Sequence, residues 1–136
     1  MKQYLFSYGT LQPDIAPKEI AGAVRSLRRI GRGRVHGRLY DLGEYPGAIL
    51  SSTGPVILGQ VFEVPDDPEI LRQLDEYEGF DPAHPEGSLF VRRKYPVTLR
   101  GGKKIKCWVY TYNRHPGSAP GLPTGDFAKT RSLKTR

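Results

Sequence analysis

At 136 residues, with 21 lysines and arginines against 14 aspartates and glutamates, the chain is sized for one domain with a real core and is too short for two ordinary ones. Its single cysteine, Cys107, excludes a disulfide framework and a cysteine-based metal site, and no apolar run approaches membrane-spanning length. The net charge of +7 raises the question of nucleic acid. The cations gather in Arg25, Arg28, Arg29, Arg32, Arg34 and Arg38, in Lys103, Lys104 and Lys106, and in the C-terminal stretch. They carry no nucleic-acid-binding motif and read as a solvated basic face whose field favours small anionic substrates.

In chain order, Gln3 to Tyr8 reads as a central strand, because Tyr4, Phe6 and Tyr8 alternate with Leu5 and Ser7 and both faces carry apolar surface. The opening segment is cut by Ser7 and Gly9 before a signal-type apolar stretch develops, and a cytoplasmic location is the expectation. The strand ends at Gly9-Thr10-Leu11, with Pro13 preventing simple continuation. A loop whose successive N–H groups point one way can cradle a carboxylate or an oxyanion, and Gly9 permits close approach. An ordinary strand end has the same local sequence.

A short helix is expected within 17–24, and a strand over 34–42 with a bend at Gly37. His36 has basic neighbours and no second ligand at metal spacing, which makes it structural. Tyr45 beside Pro46 in the turn 43–47 is a candidate pocket wall, and the short apolar run Ala48-Ile49-Leu50 follows. Residues 55–64 form the next strand.

Asp66-Asp67-Pro68 then opens the clearest helix, which Gly79 closes. At about 100° per residue, Ile70, Leu71, Leu74 and Tyr77 share one arc, and Glu78 lies inside it. Glu76 and Arg72 project to the opposite side, with Asp75 at the edge. The wheel thus predicts that Glu78 alone among these acids is desolvated. Burial, the negative end of the helix dipole and the neighbouring acids would all raise its pKa, as suits general acid/base work near neutral pH. A frayed helix end would instead leave Glu78 in water.

The Pro-rich stretch 80–88 reads as neither helix nor strand and is a candidate lid beside Glu78. Residues 89–99 and 104–112 form a hairpin around Gly101-Gly102, the second strand apolar on both faces as in a closed or covered sheet. Cys107 is a small core residue of that strand. Residues 116–136 turn Pro/Gly-rich and then basic, and are expected to be a poorly ordered tail. Asp75, Glu78, Asp81 and His84 do not follow a calcium-loop spacing, and no metal site is expected.

Taken in order, Tyr8-Gly9-Thr10-Leu11, Leu39-Tyr40-Asp41-Leu42-Gly43 with Tyr45-Pro46-Gly47, Leu74-Asp75-Glu76-Tyr77-Glu78-Gly79, Arg92 with Val97, and Trp108-Val109-Tyr110 resemble the gamma-glutamylcyclotransferase-like superfamily. The gamma-glutamylamine cyclotransferase branch is the most similar. The ordered set spans about residues 4–112 and favours the functional readings of Glu78 and of the 8–11 loop. The resemblance implies an α+β fold, a small barrel-like mixed sheet with one main helix and short helical segments over residues 1–115. It implies no cofactor and a small gamma-glutamyl substrate, with Glu78 as the catalytic acid/base. Tyr8, Gly9, Thr10, Leu11 and Tyr45 would bind substrate. The expected product is 5-oxoproline, and the alternative is a non-catalytic module for small acidic ligands. No membrane partner is expected, nucleic acid is not favoured, and the oligomeric state is left open. Two departures bear on the leaving group: Phe90 stands where the family often has Tyr, and the 80–88 loop is long.

Overall fold

The computed structural model describes residues 2–9, 16–43, 46–117 and 119–122. In chain order the elements are β1 (Gln3–Ser7), α1 (Ala21–Arg25), β2 (Arg28–Asp41), β3 (Pro46–Leu50), β4 (Val56–Val64), α2 (Pro68–Glu78), β5 (Phe90–Leu99) and β6 (Lys104–Tyr112), with a 3-10 turn at Pro85–Gly87. The sheet runs β3-β2-β4-β1-β6-β5, and pairing of β2 with β5 closes it. Five strands therefore form a small barrel, to which β3 adds along the far half of β2. Every pairing is antiparallel except β1 with β6, where Leu5 meets Trp108. This is the α+β barrel-like fold that the sequence led us to expect.

Two apolar clusters follow from the period of two along the strands. Phe6, Val35, Leu39, Ile57, Val61, Val97, Cys107 and Val109 fill the barrel interior. Their neighbours Leu5, Phe62, Val64 and Tyr110 point outward, where Val24 of α1 and Leu74 of α2 cover them. The central place of β1 is explained by this division, since Leu5 serves one cluster and Phe6 the other. Cys107 is fully buried, and burial pushes its thiol up to about 12, which suits a core residue.

Helix α2 has the bounds its capping residues dictate. The Asp67 carboxylate accepts from the Glu69 N–H at 3.0 Å, Pro68 takes the first helical position, and Gly79 ends the helix at φ 75°. The 5-6 hairpin likewise turns on Gly101 and Gly102 at φ 105° and 101°. Three expectations need correction. β2 begins at Arg28, well before the expected start, because its arginines project outward while Gly33, Val35, Gly37 and Leu39 point in. The stretch 80–88 holds one 3-10 turn. Part of the expected tail is built into the fold, since Leu122 N–H donates to Leu39 O at 2.9 Å and Asp41 N–H to Pro120 O at 2.8 Å.

Glycine is required where strands cross closely inside the barrel. A Cβ at Gly59 would strike the Ser7 carbonyl and stand 2.8 Å from the Phe6 ring. Gly59→Ala should therefore lower the unfolding free energy by about 1–3 kcal/mol, read from the urea midpoint at unchanged slope.

Candidate functional site

The C-terminal turns of α2 carry the acids singled out above, and the structure treats them differently. Glu76 is exposed and shares the Arg72 guanidinium with Glu69 on the solvent face. Asp75 is 6% exposed, contrary to the prediction that only Glu78 is desolvated. Its Oδ1 accepts from Arg92 Nε at 2.7 Å and from the Tyr110 hydroxyl at 2.6 Å, and Oδ2 accepts from Arg92 Nη2 at 3.1 Å. Arg92 is held in turn over the Trp108 ring, 4.2 Å from its centroid, with the Phe80 ring at 5.7 Å. Both oxygens of Asp75 are thus engaged by protein groups.

Glu78, one turn further on, belongs to the last residues of α2 and is partly buried. Removal of its carboxyl group from water pushes its pKa up to about 7. Among the described residues no cation pairs with it. Two phenols lie within its field. Burial raises the Tyr8 hydroxyl above its ordinary value and the Glu78 charge raises it further. The Tyr110 phenol is raised by burial first, then by its hydrogen bond to Asp75, with a smaller contribution from Glu78.

Tyr8 stands at the exit of β1 inside the barrel mouth, 6% exposed. Its hydroxyl donates to the Tyr110 carbonyl at 2.5 Å and accepts from the Ala48 N–H at 3.2 Å. Gly9 follows, packed so closely on β3 that a Cβ would lie 3.2 Å from Pro46 Cγ. Gly47 is wedged similarly, since a Cβ there would meet Leu42 and stand 3.1 Å from the Tyr112 side chain. The β1 exit, the β3 start, the β6 end and the α2 end therefore meet in one place. Of the site residues expected from sequence, Glu78, Tyr8 and Gly9 are brought into it. Thr10, Leu11 and Tyr45 lie outside the described residues.

Beside this site the 80–88 stretch is tied down rather than hinged as a free lid. Asp81 N–H donates to Ser88 Oγ at 2.9 Å, and Asn113 Nδ2 donates to Pro85 O at 3.0 Å and to Ser88 O at 2.9 Å. Arg114 adds bonds to Ser88 O at 2.7 Å and Gly87 O at 3.0 Å. Phe90 is buried in the outer cluster with its ring 5.5 Å from that of Tyr112. Sequence reasoning missed Asp75 and Tyr110 as parts of the site. The signal available was Tyr110 in an otherwise apolar buried strand, where a phenol needs a hydrogen-bond partner.

Residues 5–129 match the family described as "Gamma-glutamyl cyclotransferase, AIG2-like". No curated protein sequence matches the chain. Among solved structures, a mouse AIG2-like protein is 26% identical, with TM-score 0.67 over 88% of this chain and 84% of that one. A protein titled "Gamma-glutamyl cyclotransferase" is 19% identical, with TM-score 0.63 over 90% of this chain and 73% of that one. An uncharacterised protein from Pyrococcus horikoshii, PH0828, is 19% identical with TM-score 0.65, covering 98% and 96%.

Two outcomes follow from these two acids. Arg92→Met strands the Asp75 carboxylate and should cost about 3–5 kcal/mol in urea unfolding, with the Asp75→Asn/Arg92→Met double variant recovering part of the loss. Glu78 acts in the opposite sense. Its folded pKa of about 7 lies above the ordinary value of 4.5, so the folded state binds the extra proton between those limits. Its contribution is full below pH 4.5 and is lost as pH rises through about 7, a decline on the order of 3 kcal/mol. Glu78→Gln should therefore raise Tm above neutrality while leaving it nearly unchanged in acid, as differential scanning calorimetry across pH would show.

Proposed function

From the membership of this chain in the gamma-glutamyl cyclotransferase, AIG2-like family, shown by the match over residues 5–129, we propose that it releases 5-oxoproline from a gamma-glutamyl amine or gamma-glutamyl amino acid. The observation that carries this reading is Glu78, a carboxyl group with a pKa of about 7 beside the exit of β1.

The substrate contains its own nucleophile. Its α-amine attacks the γ-carbonyl carbon, a C–N bond forms, and a five-membered ring closes on a tetrahedral intermediate. Because attack is intramolecular, the protein's main task is to hold the chain folded, and proximity supplies much of the rate. Glu78 takes the proton that the attacking amine sheds. The intermediate then collapses, the bond from the γ-carbon to the leaving nitrogen breaks, and Glu78 returns the proton to that nitrogen. The products are 5-oxoproline and the free amine, with no water consumed and no group retained on the protein. A pKa near 7 suits both halves of this exchange, since the same group must accept and then donate.

The β1 exit supplies the complementary half of the site. We assign the Gly9-Thr10-Leu11 segment, through its backbone N–H groups, to the substrate carboxylate or the developing oxyanion. Tyr8 and Tyr45 are the side chains we assign to substrate contact. Tyr8 is locked by bonds to both β6 and β3, which keeps the loop's first residue in one place.

Glu78→Gln should cut 5-oxoproline release from gamma-glutamyl amines and gamma-glutamyl amino acids by about 10²–10⁴-fold with the fold intact. Glu76→Gln, which changes only the solvent-face pairing with Arg72, should leave it within about twofold. In the parent, kcat/KM should rise with pH through a midpoint of about 7 as Glu78 loses its proton. Activity retained by the Glu78 variant would remove the assignment.

A further inference from the structure

The two helices cover the barrel on one side and leave the outer face of β2 and the first half of β4 uncovered. On β2 that face presents Arg32, Arg34, His36 and Arg38, all exposed at alternate positions. Across the ladder Arg32 stands opposite Gln60, Arg34 opposite Leu58 and His36 opposite Val56. Closure with β5 brings Arg100 alongside, its N–H donating to Arg32 O at 3.1 Å. Two adjoining clefts of about 240 and 310 Å³ share Arg32 and Arg100, the first lined also by Arg34 and Leu58 and the second by Arg29 and Leu99. Arg29 engages neutral Gln60 through Nε at 2.8 Å, which leaves its charge uncompensated by that contact. The first acid along β4 is Glu63, already shared by Lys2 and Arg28 at 3.7 Å each.

Val56 and Leu58, 40% and 38% exposed, are the exposed large hydrophobic residues of the described chain, and both lie inside this arginine field. We propose that this face is a docking surface for the anionic headgroups of a phospholipid bilayer. Clustered arginines attract an anionic leaflet, and their apolar stems can lie along the interface while the guanidinium groups stay with phosphate. The aliphatic pair enters the headgroup region as an apolar contact does in interfacial binding. A nucleic-acid backbone satisfies the arginines but offers nothing to Val56 and Leu58. No Phe, Tyr or Trp stands among these residues to stack a base, and the one ring present, His36, is tethered through Nδ1 to Gly54 O at 3.0 Å. The absence of a spanning helix among the described residues is compatible with such peripheral contact, and the surface stands apart from the α2 site.

The test is co-sedimentation of the full chain with phosphatidylcholine vesicles, with and without phosphatidylserine, at low and high salt. Partitioning should require phosphatidylserine and fall at high salt. Arg34→Glu should weaken it by about tenfold or more and Arg32→Glu similarly, since each cation at an anionic surface is worth about fivefold. Leu58→Ser, which leaves every charge in place, should weaken it severalfold. Arg72→Glu makes the same change in net charge on the opposite, acidic face and should stay within about twofold. Absence of partitioning, an equal loss in Arg72→Glu, or no loss in Leu58→Ser would overturn the proposal. So would tight binding of a single-stranded or duplex RNA oligonucleotide without binding to the vesicles.

Discussion

The carboxylate of Asp75 is the point on which the site's geometry rests. Withdrawing an ionised group from water costs several kcal/mol unless its oxygens are matched by charge and hydrogen bonds. Here both oxygens are matched, one by Arg92 Nε and the Tyr110 hydroxyl and the other by Arg92 Nη2. Arg92 comes from β5 and Tyr110 from β6, so the pairing ties the end of α2 to two strands of the barrel. Tyr110 extends the chain of contacts, because its carbonyl accepts from Tyr8 and Tyr8 in turn accepts from Ala48. One connected set of buried polar groups thus fixes α2, β6, the β1 exit and β3 relative to one another. Such networks are stable only when complete, and the described residues leave no buried side-chain donor or acceptor unsatisfied.

Glu78 sits three residues beyond Asp75 on the same helix and inherits its placement from that anchor. Asp75 is buried and bonded to both a guanidinium and a phenol, whereas Glu78 is half-buried and has no cation paired with it among the described residues. That difference in partners separates a structural carboxylate from one whose pKa lies at about 7. Pairs of acids held in contrasting environments are a common way to divide such roles. The two tyrosines record the same arrangement from their own side, since the Glu78 charge raises both.

Much of this was legible in the sequence wherever the cause is local. Asp67, Pro68 and Gly79 fix the bounds of α2 through capping chemistry. Gly101 and Gly102 fix the 5-6 hairpin, and the apolar arc of α2 places Glu78 on the covered side. The burial of Asp75 was not legible from a helical wheel, because what buries it lies 17 and 35 residues away. The extent of β2 was obscured for a different reason. Gly33 and Gly37 carry no apolar signal, yet they occupy inward positions where a side chain would strike Val97 and Val61, or the β3 backbone. With glycine counted as an inward residue, the alternation of arginine with Gly33, Val35, Gly37 and Leu39 is a plain strand pattern with cations facing out. The docking of 120–122 against β2 follows from a backbone edge, which side-chain pattern does not announce.

The proposed chemistry and the stability of the fold draw on the same burial in opposite directions. A carboxyl group at the ordinary 4.5 would be ionised at neutral pH but a poor proton donor to a departing amine. Shielding from water moves it to about 7, and each unit of that movement costs the ionised fold about 1.4 kcal/mol. A small barrel has a total stability of only about 5–15 kcal/mol from which to meet that demand. The site is therefore tenable because the strained acid is placed one turn from a satisfied one. The Asp75 network holds the helix end whether or not Glu78 is charged, so a proton can come and go at one carboxylate without loosening the backbone that carries it.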